Sequence, residues 1–358
     1  MDSITLITFI LGFVFLISGA ELLVRGASNL AKTIGISPLV VGLTIVAFGT
    51  SSPELAVNIQ STWSGKPDLA IGNVVGSNIL NILLVLGIGA VIVPISISQR
   101  LIRLEVPLMI GASFLLLLLS IDGKLDFWDG LLMSCAIIVY TFFSIRICRQ
   151  AKNYCPPEKL TSSQHKKNLN IIVQLVLIIL GLYLLIQGSQ WLVEGAVIIA
   201  KLIGISELII GLTVISIGTS LPEIATVIIA SLRKEPELVI GNVLGSNLFN
   251  ILLVLGFTSL IAPDGIEVSR SAVVFDMPVM IAVAVACLPI FFTGYMIRRW
   301  EGGLFLAFYV AYTLYLFLNA TQHDSLPAFN IVMFEFVIPL TALTLLVLAW
   351  RDSRTGKK

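Results

Sequence analysis

Charge is scarce in this 358-residue chain: Asp, Glu, Lys and Arg together make up 12% of it, while hydrophobic residues make up 57%. An ordinary soluble domain carries about 25% charged residues. The few charges lie between long apolar runs and do not alternate with them, which excludes a water-soluble fold around a single core and points to a bilayer. Histidine is nearly absent, with two residues, and the four cysteines (Cys135, Cys148, Cys155 and Cys287) have no CxxC spacing. That excludes a soft-metal cluster and a disulfide framework. A net charge of +1 gives no reason to expect an acidic or nucleic-acid partner. No basic residue precedes the first apolar stretch, Ile4 to Val24. The stretch also exceeds the roughly 7–15 residues of a signal-peptide core, so it is expected to be a retained transmembrane helix. No paired nucleophile and base and no cofactor motif are visible; neither an enzyme nor a bound cofactor is expected.

A helix needs about 20 apolar residues to cross the hydrocarbon. Eleven segments meet that measure, at 4–24, 38–62, 70–95, 103–121, 126–146, 170–192, 207–231, 238–262, 271–293, 301–320 and 328–350. With the N-terminus outside, 18 of the 22 basic residues fall on the cytoplasmic side, and only Lys66, Lys124, Lys201 and Arg270 lie outside. The excess of positive charge inside therefore predicts an N-out, C-in arrangement. The polar, basic stretch from Arg149 to Asn168 reads as a cytoplasmic linker.

The chain repeats itself. Residues 37–87 and 206–256 align without a gap at an offset of 169, with 28 of 51 positions identical. Five spans separate equivalent points. Five is odd, so the copies must be inverted relative to one another, an architecture in which two half-sites meet near the membrane midplane. The expected fold is an all-α polytopic membrane protein. It comprises a first inverted repeat in 1–148, a linker at 149–168, a second repeat in 169–320, and an extra C-terminal helix with a basic tail in 321–358. The two repeats contribute ten transmembrane helices.

The most similar stretches are polar. The second span carries Gly49-Thr50-Ser51-Ser52-Pro53-Glu54, and the seventh carries Gly218-Thr219-Ser220-Leu221-Pro222-Glu223. Proline removes a backbone donor and clashes with the carbonyl four residues earlier, so each helix is expected to break beside Gly49 and Gly218 and free carbonyl oxygens. Such oxygens are tolerated at membrane depth only where they face protein or water. A carboxylate one residue after each proline costs several kcal/mol in hydrocarbon and marks a functional site by default. No Lys or Arg lies in either span's apolar interior to neutralise it. The third and eighth spans open with a second motif, in which Asn73, Ser77 and Asn81, and again Asn242, Ser246 and Asn250, fall on one helix face. Ser77, Asn81, Ser246 and Asn250 are candidate ligands. Asn73, Asn78, Asn242 and Asn247 could equally be ligands or interhelical glue. The glycines within the motif, at i and i+4, form a small-xxx-small pattern that favours close helix approach.

Other acids have blander readings. Glu21, Glu105, Asp276 and Glu335 sit near span ends, where capping or pairing with Arg100, Arg103 or Arg270 is expected; Asp122, Asp126 and Asp129 fall at an external turn. The sum is an oxygen-only site with two carboxylates. Ca2+ takes about 6–8 oxygens in flexible geometry, and Na+ could occupy the same cage, which would make the ions competitors for one negative site.

At these paired motifs the sequence resembles the cation/calcium exchanger superfamily, in particular its prokaryotic sodium/calcium exchanger-like members, over nearly all of residues 1–320. The resemblance implies a multi-pass protein of the cell (inner) membrane that exchanges Ca2+ for Na+ by alternating access, with inorganic cations and the lipid bilayer as its partners and no obligatory protein partner. It implies a calcium site of the Glu54 and Glu223 carboxylates with the Thr50 and Thr219 carbonyls. The sodium sites it implies use the Ala47 and Ser216 carbonyls, Ser51, Ser220, Ser77 and Ser246, with Asn81 and Asn250 at the centre. It also implies that the first and sixth helices slide against a rigid core. Asn250 stands where potassium-dependent relatives carry Asp, so potassium coupling is not expected, and the eleventh span exceeds the family's usual ten. Exchange of Ca2+ for H+ is the alternative, because a buried Glu can be neutralised by a proton; a channel or a non-transporting scaffold is a third reading.

Overall fold

The computed structural model describes residues 3–65, 67–154, 171–202 and 216–355. Lys66, Cys155, most of the expected linker, the start of the seventh segment and the last basic residues lie outside them. Among the described residues, ten helices are long and apolar enough to span a membrane. They are α1 (Thr5–Ile34), α2 (Pro38–Trp63), α3 (Leu69–Ile92), α4 (Leu101–Leu119), α5 (Phe127–Arg146) and α6 (Ile171–Leu202), then, past the short α7 (Leu221–Leu232), α8 (Pro236–Ile261), α9 (Ala272–Phe292), α10 (Arg299–Ala320) and α11 (Leu326–Leu345). α7 is the described end of the seventh expected span.

Four two-residue strands record how the chain is inserted. β1 (Ile95–Ser96), after α3, pairs antiparallel with β4 (Met296–Ile297), after α9, with Ile95 opposite Ile297. β2 (Lys124–Leu125), after α4, pairs with β3 (Ile266–Glu267), after α8, with Lys124 opposite Glu267. Paired strands must share a face of the membrane, so an even number of crossings separates them. This holds for both ribbons only if the segment ending in α7 crosses as well. One crossing, α4, separates β1 from β2, which puts the ribbons on opposite faces. β1 and β3 follow the same motif helix in the two copies, yet they lie on opposite faces, so the copies are inverted. The β1–β4 face carries Arg100, Arg103, Arg298 and Arg299, the face that the excess of positive charge assigns to the cytoplasm.

Two helices pack chiefly on each other while one face of each joins the core. α1 and α6 run antiparallel and in close contact along their length, with Gly12, Gly19 and Gly26 of one facing Gly188, Gly181 and Gln174 of the other. A Cβ built on Gly19 would meet the Gly181 carbonyl oxygen at 2.7 Å, so only glycine allows this approach. The other glycine pattern also acts as expected where its neighbours are described, since Gly241 and Gly245 pack against Leu39, Gly42, Leu43 and Ala47 of α2. α8 is the most enclosed of the ten spans, whereas α11 rests on α9 with nearly all of its remaining surface exposed.

Candidate functional site

Both proline-bearing helices break, one or two residues later than the glycines. In α2 the short helix Ala47–Thr50 ends, Ser51 leaves helical geometry (φ −80, ψ 3), and a new helix, Ser52–Trp63, starts with Pro53 in its first turn. In the second copy Ser216–Gly218 is followed by Ser220 (φ −91, ψ 7) and α7, with Pro222 in its first turn. Proline is accommodated at such a start because its missing N–H would have no helical partner there. Glu54 and Glu223 thus each occupy a first helical turn, where the helix dipole presents its positive end. Both are completely buried.

Hydroxyl groups from opposite halves close around the acids. Ser220 of the second half donates to Glu54 Oε1 at 3.2 Å and lies 3.3 Å from the Ser77 hydroxyl, a second contact with the first half. Ser246 donates to Glu223 Oε1 at 3.4 Å and lies 3.2 Å from the Thr50 hydroxyl, which also donates to Asn242 Oδ1 at 3.1 Å. Thr219 donates to Asn73 Oδ1 at 3.4 Å. These bonds join seven of the twelve expected site residues, Glu54, Glu223, Thr50, Thr219, Ser220, Ser77 and Ser246, in one interior polar region, with Asn81 and Asn250 one turn beyond Ser77 and Ser246.

Several oxygens in this region are buried with no hydrogen-bond partner among the described residues: the second carboxylate oxygens of Glu54 and Glu223, the Ser51 hydroxyl, and the amide oxygens of Asn81 and Asn250. A polar atom left unpaired in a protein interior costs free energy. A collection of unpaired oxygens converging from both halves is therefore suited to a desolvated cation. Among the described residues there is no group of three or more His, Cys, Asp or Glu side chains that could hold a metal. A cation here would be bound by two carboxylates and neutral oxygens. At Asn81 and at Asn250 the α3 and α8 helices widen into π-turns, Asn81–Leu86 and Asn250–Leu255; such turns recur at functional sites.

The remaining expected residues have plainer surroundings. The Ala47 carbonyl accepts the Ser51 N–H at 3.0 Å and the Thr50 hydroxyl at 3.4 Å. Ser216 opens a short helix, and its side chain lies outside the described part. The carbonyl of Gly218, expected to be freed by Pro222, accepts the Ser189 hydroxyl of α6 at 2.6 Å. Asn78 and Asn247 are the glue of the two open readings: each donates its amide to the other's carbonyl oxygen at 3.3 Å, across the interface between halves. Of the span-end acids, Glu105 pairs with Arg100 at 3.1 Å as expected. Glu21 instead pairs with Arg233, and Asp276 lies beside Tyr312 with no ion pair among the described residues. Two residues were not anticipated. Ser189 is one; the other is Asn58, fully buried and bonded to Asn73 at 2.7 Å. Asn58 had a signal in the sequence, an amide in an apolar span where the repeat has Val227.

Comparison with known proteins gives a consistent result. The family model described as sodium/calcium exchanger protein matches residues 4–146 and 173–318. A putative antiporter, CaxA, of Alkalimonas amylolytica is 39% identical over 86% of this chain and 97% of its own length. The sodium/calcium exchanger MaX1 of Methanosarcina acetivorans is 30% identical over 88% of this chain and 99% of its own. Among solved structures, the sodium-calcium exchanger NCX_Mj, soaked with Na+ and Sr2+, superposes with a TM-score of 0.74 at 30% identity, covering 87% of this chain and 98% of that one.

Proposed function

We propose, from the premise that this chain belongs to the sodium/calcium exchanger protein family and is a multi-pass membrane transporter rather than an enzyme, that it exchanges Ca2+ for Na+ at one buried site built around Glu54 and Glu223. The observation that carries this reading is the pair of fully buried carboxylates, each with one oxygen held by a serine hydroxyl and the other without a hydrogen-bond partner among the described residues. Two negative charges balance one divalent ion. The Thr50 and Thr219 carbonyls, Ser51, Ser220, Ser77, Ser246, Asn81 and Asn250 supply neutral oxygens toward the about 6–8 that Ca2+ requires, and the Ala47 and Ser216 carbonyls extend the set available to Na+.

Exchange follows from the electrostatics. Two carboxylates left together without a counter-charge in a low-dielectric interior are unfavourable, so the empty site resists switching between faces, and one ion leaves as its competitor enters. The division into halves at 1–148 and 169–320, joined by a cytoplasmic linker at 149–168, gives each half one acid, and in the N-out, C-in arrangement the β1–β4 ribbon lies on the cytoplasmic side of the cell membrane. The chain should work in proteoliposomes without a protein partner or cofactor. Calcium uptake into such vesicles should rise severalfold when an outward sodium gradient is imposed. Uptake indifferent to sodium but driven by a pH gradient would replace Na+ with H+ as the coupling ion, and uptake that needs no counter-ion would reject exchange.

A further inference from the structure

Asn58 lies outside both repeated motifs, one helical turn beyond Glu54, and no polar residue occupies its place in the other half: Val227 does, and both are fully buried. A buried amide in an apolar span needs partners at both ends. Asn58 Nδ2 donates to the Ala70 carbonyl at 3.2 Å, and its Oδ1 accepts from Asn73 Nδ2 at 2.7 Å. Asn73 Nδ2 spends its second N–H on the Glu54 carbonyl at 3.5 Å, so Asn73 offers Oδ1 to Thr219, whose hydroxyl donates to it at 3.4 Å from the opposite half. The equivalent group in the other half is less constrained. Asn242 Oδ1 accepts from Thr50 at 3.1 Å, but Asn242 Nδ2 has no partner among the described residues. The Thr50 hydroxyl is shared with Ser246 and with the Ala47 carbonyl, at 3.2 and 3.4 Å. Among the described residues the Asn73 amide is bonded through both its nitrogen and its oxygen, and the Asn242 amide through its oxygen alone.

We propose that Asn58 is a positioning residue that makes the two halves of the cation site unequal. Acting through Asn73, it fixes Thr219 beside Glu54 and presets the ligand geometry of that half. The Glu223 half stays adjustable and can adapt to ions of different radius. The preset half sets discrimination between Ca2+ and a larger divalent ion such as Sr2+, since geometry and rigidity govern selectivity among hard cations. This rests on the reading of Glu54 and Glu223 as the cation site.

The test uses the purified full-length chain as wild type, Asn58→Val, Asn58→Thr, Asn73→Ala and the Asn58→Val/Asn73→Ala double variant. Ca2+ and Sr2+ binding are measured by titration calorimetry, and uptake is measured in proteoliposomes. Asn58→Val should weaken Ca2+ binding about 10-fold, the usual scale for losing a group that orients a ligand. It should narrow the Ca2+/Sr2+ ratio and leave the maximal uptake rate near wild type. Asn58→Thr, of similar size to valine but with a hydroxyl, should recover part of the ratio, and it carries the same comparison if the valine variant does not survive purification. The double variant should bind no worse than Asn73→Ala, because residues acting in series are not additive. The role is overturned if the ion ratio stays at the wild-type value, if uptake of both ions falls by one factor at unchanged affinity, or if the effects at 58 and 73 add. Binding separates the two readings. Wild-type Ca2+ binding without sodium-driven uptake removes exchange and leaves Asn58 testable; normal exchange with an unaltered ratio in the variants removes only Asn58.

Discussion

The two halves of this chain are close copies in sequence and unlike in contact. Over the repeated stretch 28 of 51 residues are identical, and both copies bury a glutamate behind a broken helix. Yet Ser220 bridges Glu54 and Ser77, while its counterpart Ser51 has a hydroxyl with no partner among the described residues. Ser189 holds the Gly218 carbonyl, and the equivalent of Ser189 is Ala20, which has nothing to donate to Gly49. Shared residues state which atoms a cation site needs. A transporter built from inverted halves must also present that site to one face at a time, and two halves with identical contacts would leave both faces equally open or equally closed. Unequal contacts between matched motifs are what alternating exposure requires.

The acids test the symmetric part of this comparison and carry the largest expected effect. Glu54→Gln and Glu223→Gln keep the side-chain shape and remove one charge each. Because affinity for a hard divalent ion depends strongly on ligand charge, each should lower calcium exchange in proteoliposomes on the order of a thousand-fold. Losses of similar size in the two variants would show that the halves share one site; wild-type exchange in either would break the comparison, with gel filtration reporting whether that variant is folded.

How much of this was legible beforehand follows from what kind of statement each residue makes. Pro53 and Pro222 in apolar spans are statements about the backbone, and Glu54 and Glu223 are statements about cost in hydrocarbon, so the breaks and the acids could be read directly. The inversion followed from parity. The partner of each amide could not be read: Asn78 and Asn247 look like their neighbours in sequence, and only the crossing of α3 and α8 turns them toward each other. The π-turns at Asn81 and Asn250 leave no mark in hydropathy. For Glu21 the expectation is capping or pairing with Arg100, Arg103 or Arg270, but helix packing brings it Arg233, 212 residues away in sequence.

A second contrast, at the edges of α4 and α9, should be smaller and visible in stability. Glu105 is fully buried, paired with Arg100 at 3.1 Å and accepting the Tyr140 hydroxyl at 2.8 Å. Its counterpart Asp276 also has a tyrosine, Tyr312, but Ser271 stands where the arginine would be. Glu105→Gln strands the Arg100 guanidinium and should cost about 3 kcal/mol, the low end for breaking a buried pair, since Arg100 keeps some solvent access. Asp276→Asn strands no charge, so its cost should stay near 1 kcal/mol. Unfolding of the two variants in detergent measures the difference, and equal costs would mean that the arginine contributes nothing to the asymmetry.

The smallest effect belongs to the surface ties at the face of the β1–β4 ribbon. There Glu21 of α1 pairs with Arg233, and Lys32 meets Glu235 at 3.5 Å while Ser28 donates to the same carboxylate at 2.7 Å. The equivalent positions of the other copy offer no opposite charges: Gln190 and Ser64 stand for Glu21 and Arg233, and Lys201 and Lys66 for Lys32 and Glu235. The charged tie of α1 to the loop between α7 and α8 is thus not reproduced by the equivalent residues of α6 and the loop between α2 and α3. The side chains of Glu21 and Arg233 are about 40% exposed, so water and salt screen them, and Glu21→Gln should cost roughly 0.2–1 kcal/mol in low salt. Near 1 M salt, where the Debye length falls to about 3 Å, the cost should vanish. Thermal unfolding of the wild type and Glu21→Gln across that salt range provides the measurement. A loss well above 1 kcal/mol that persisted in high salt would mean that Glu21 acts through packing of its side-chain stem, and the one-sided tie would then be steric and not electrostatic.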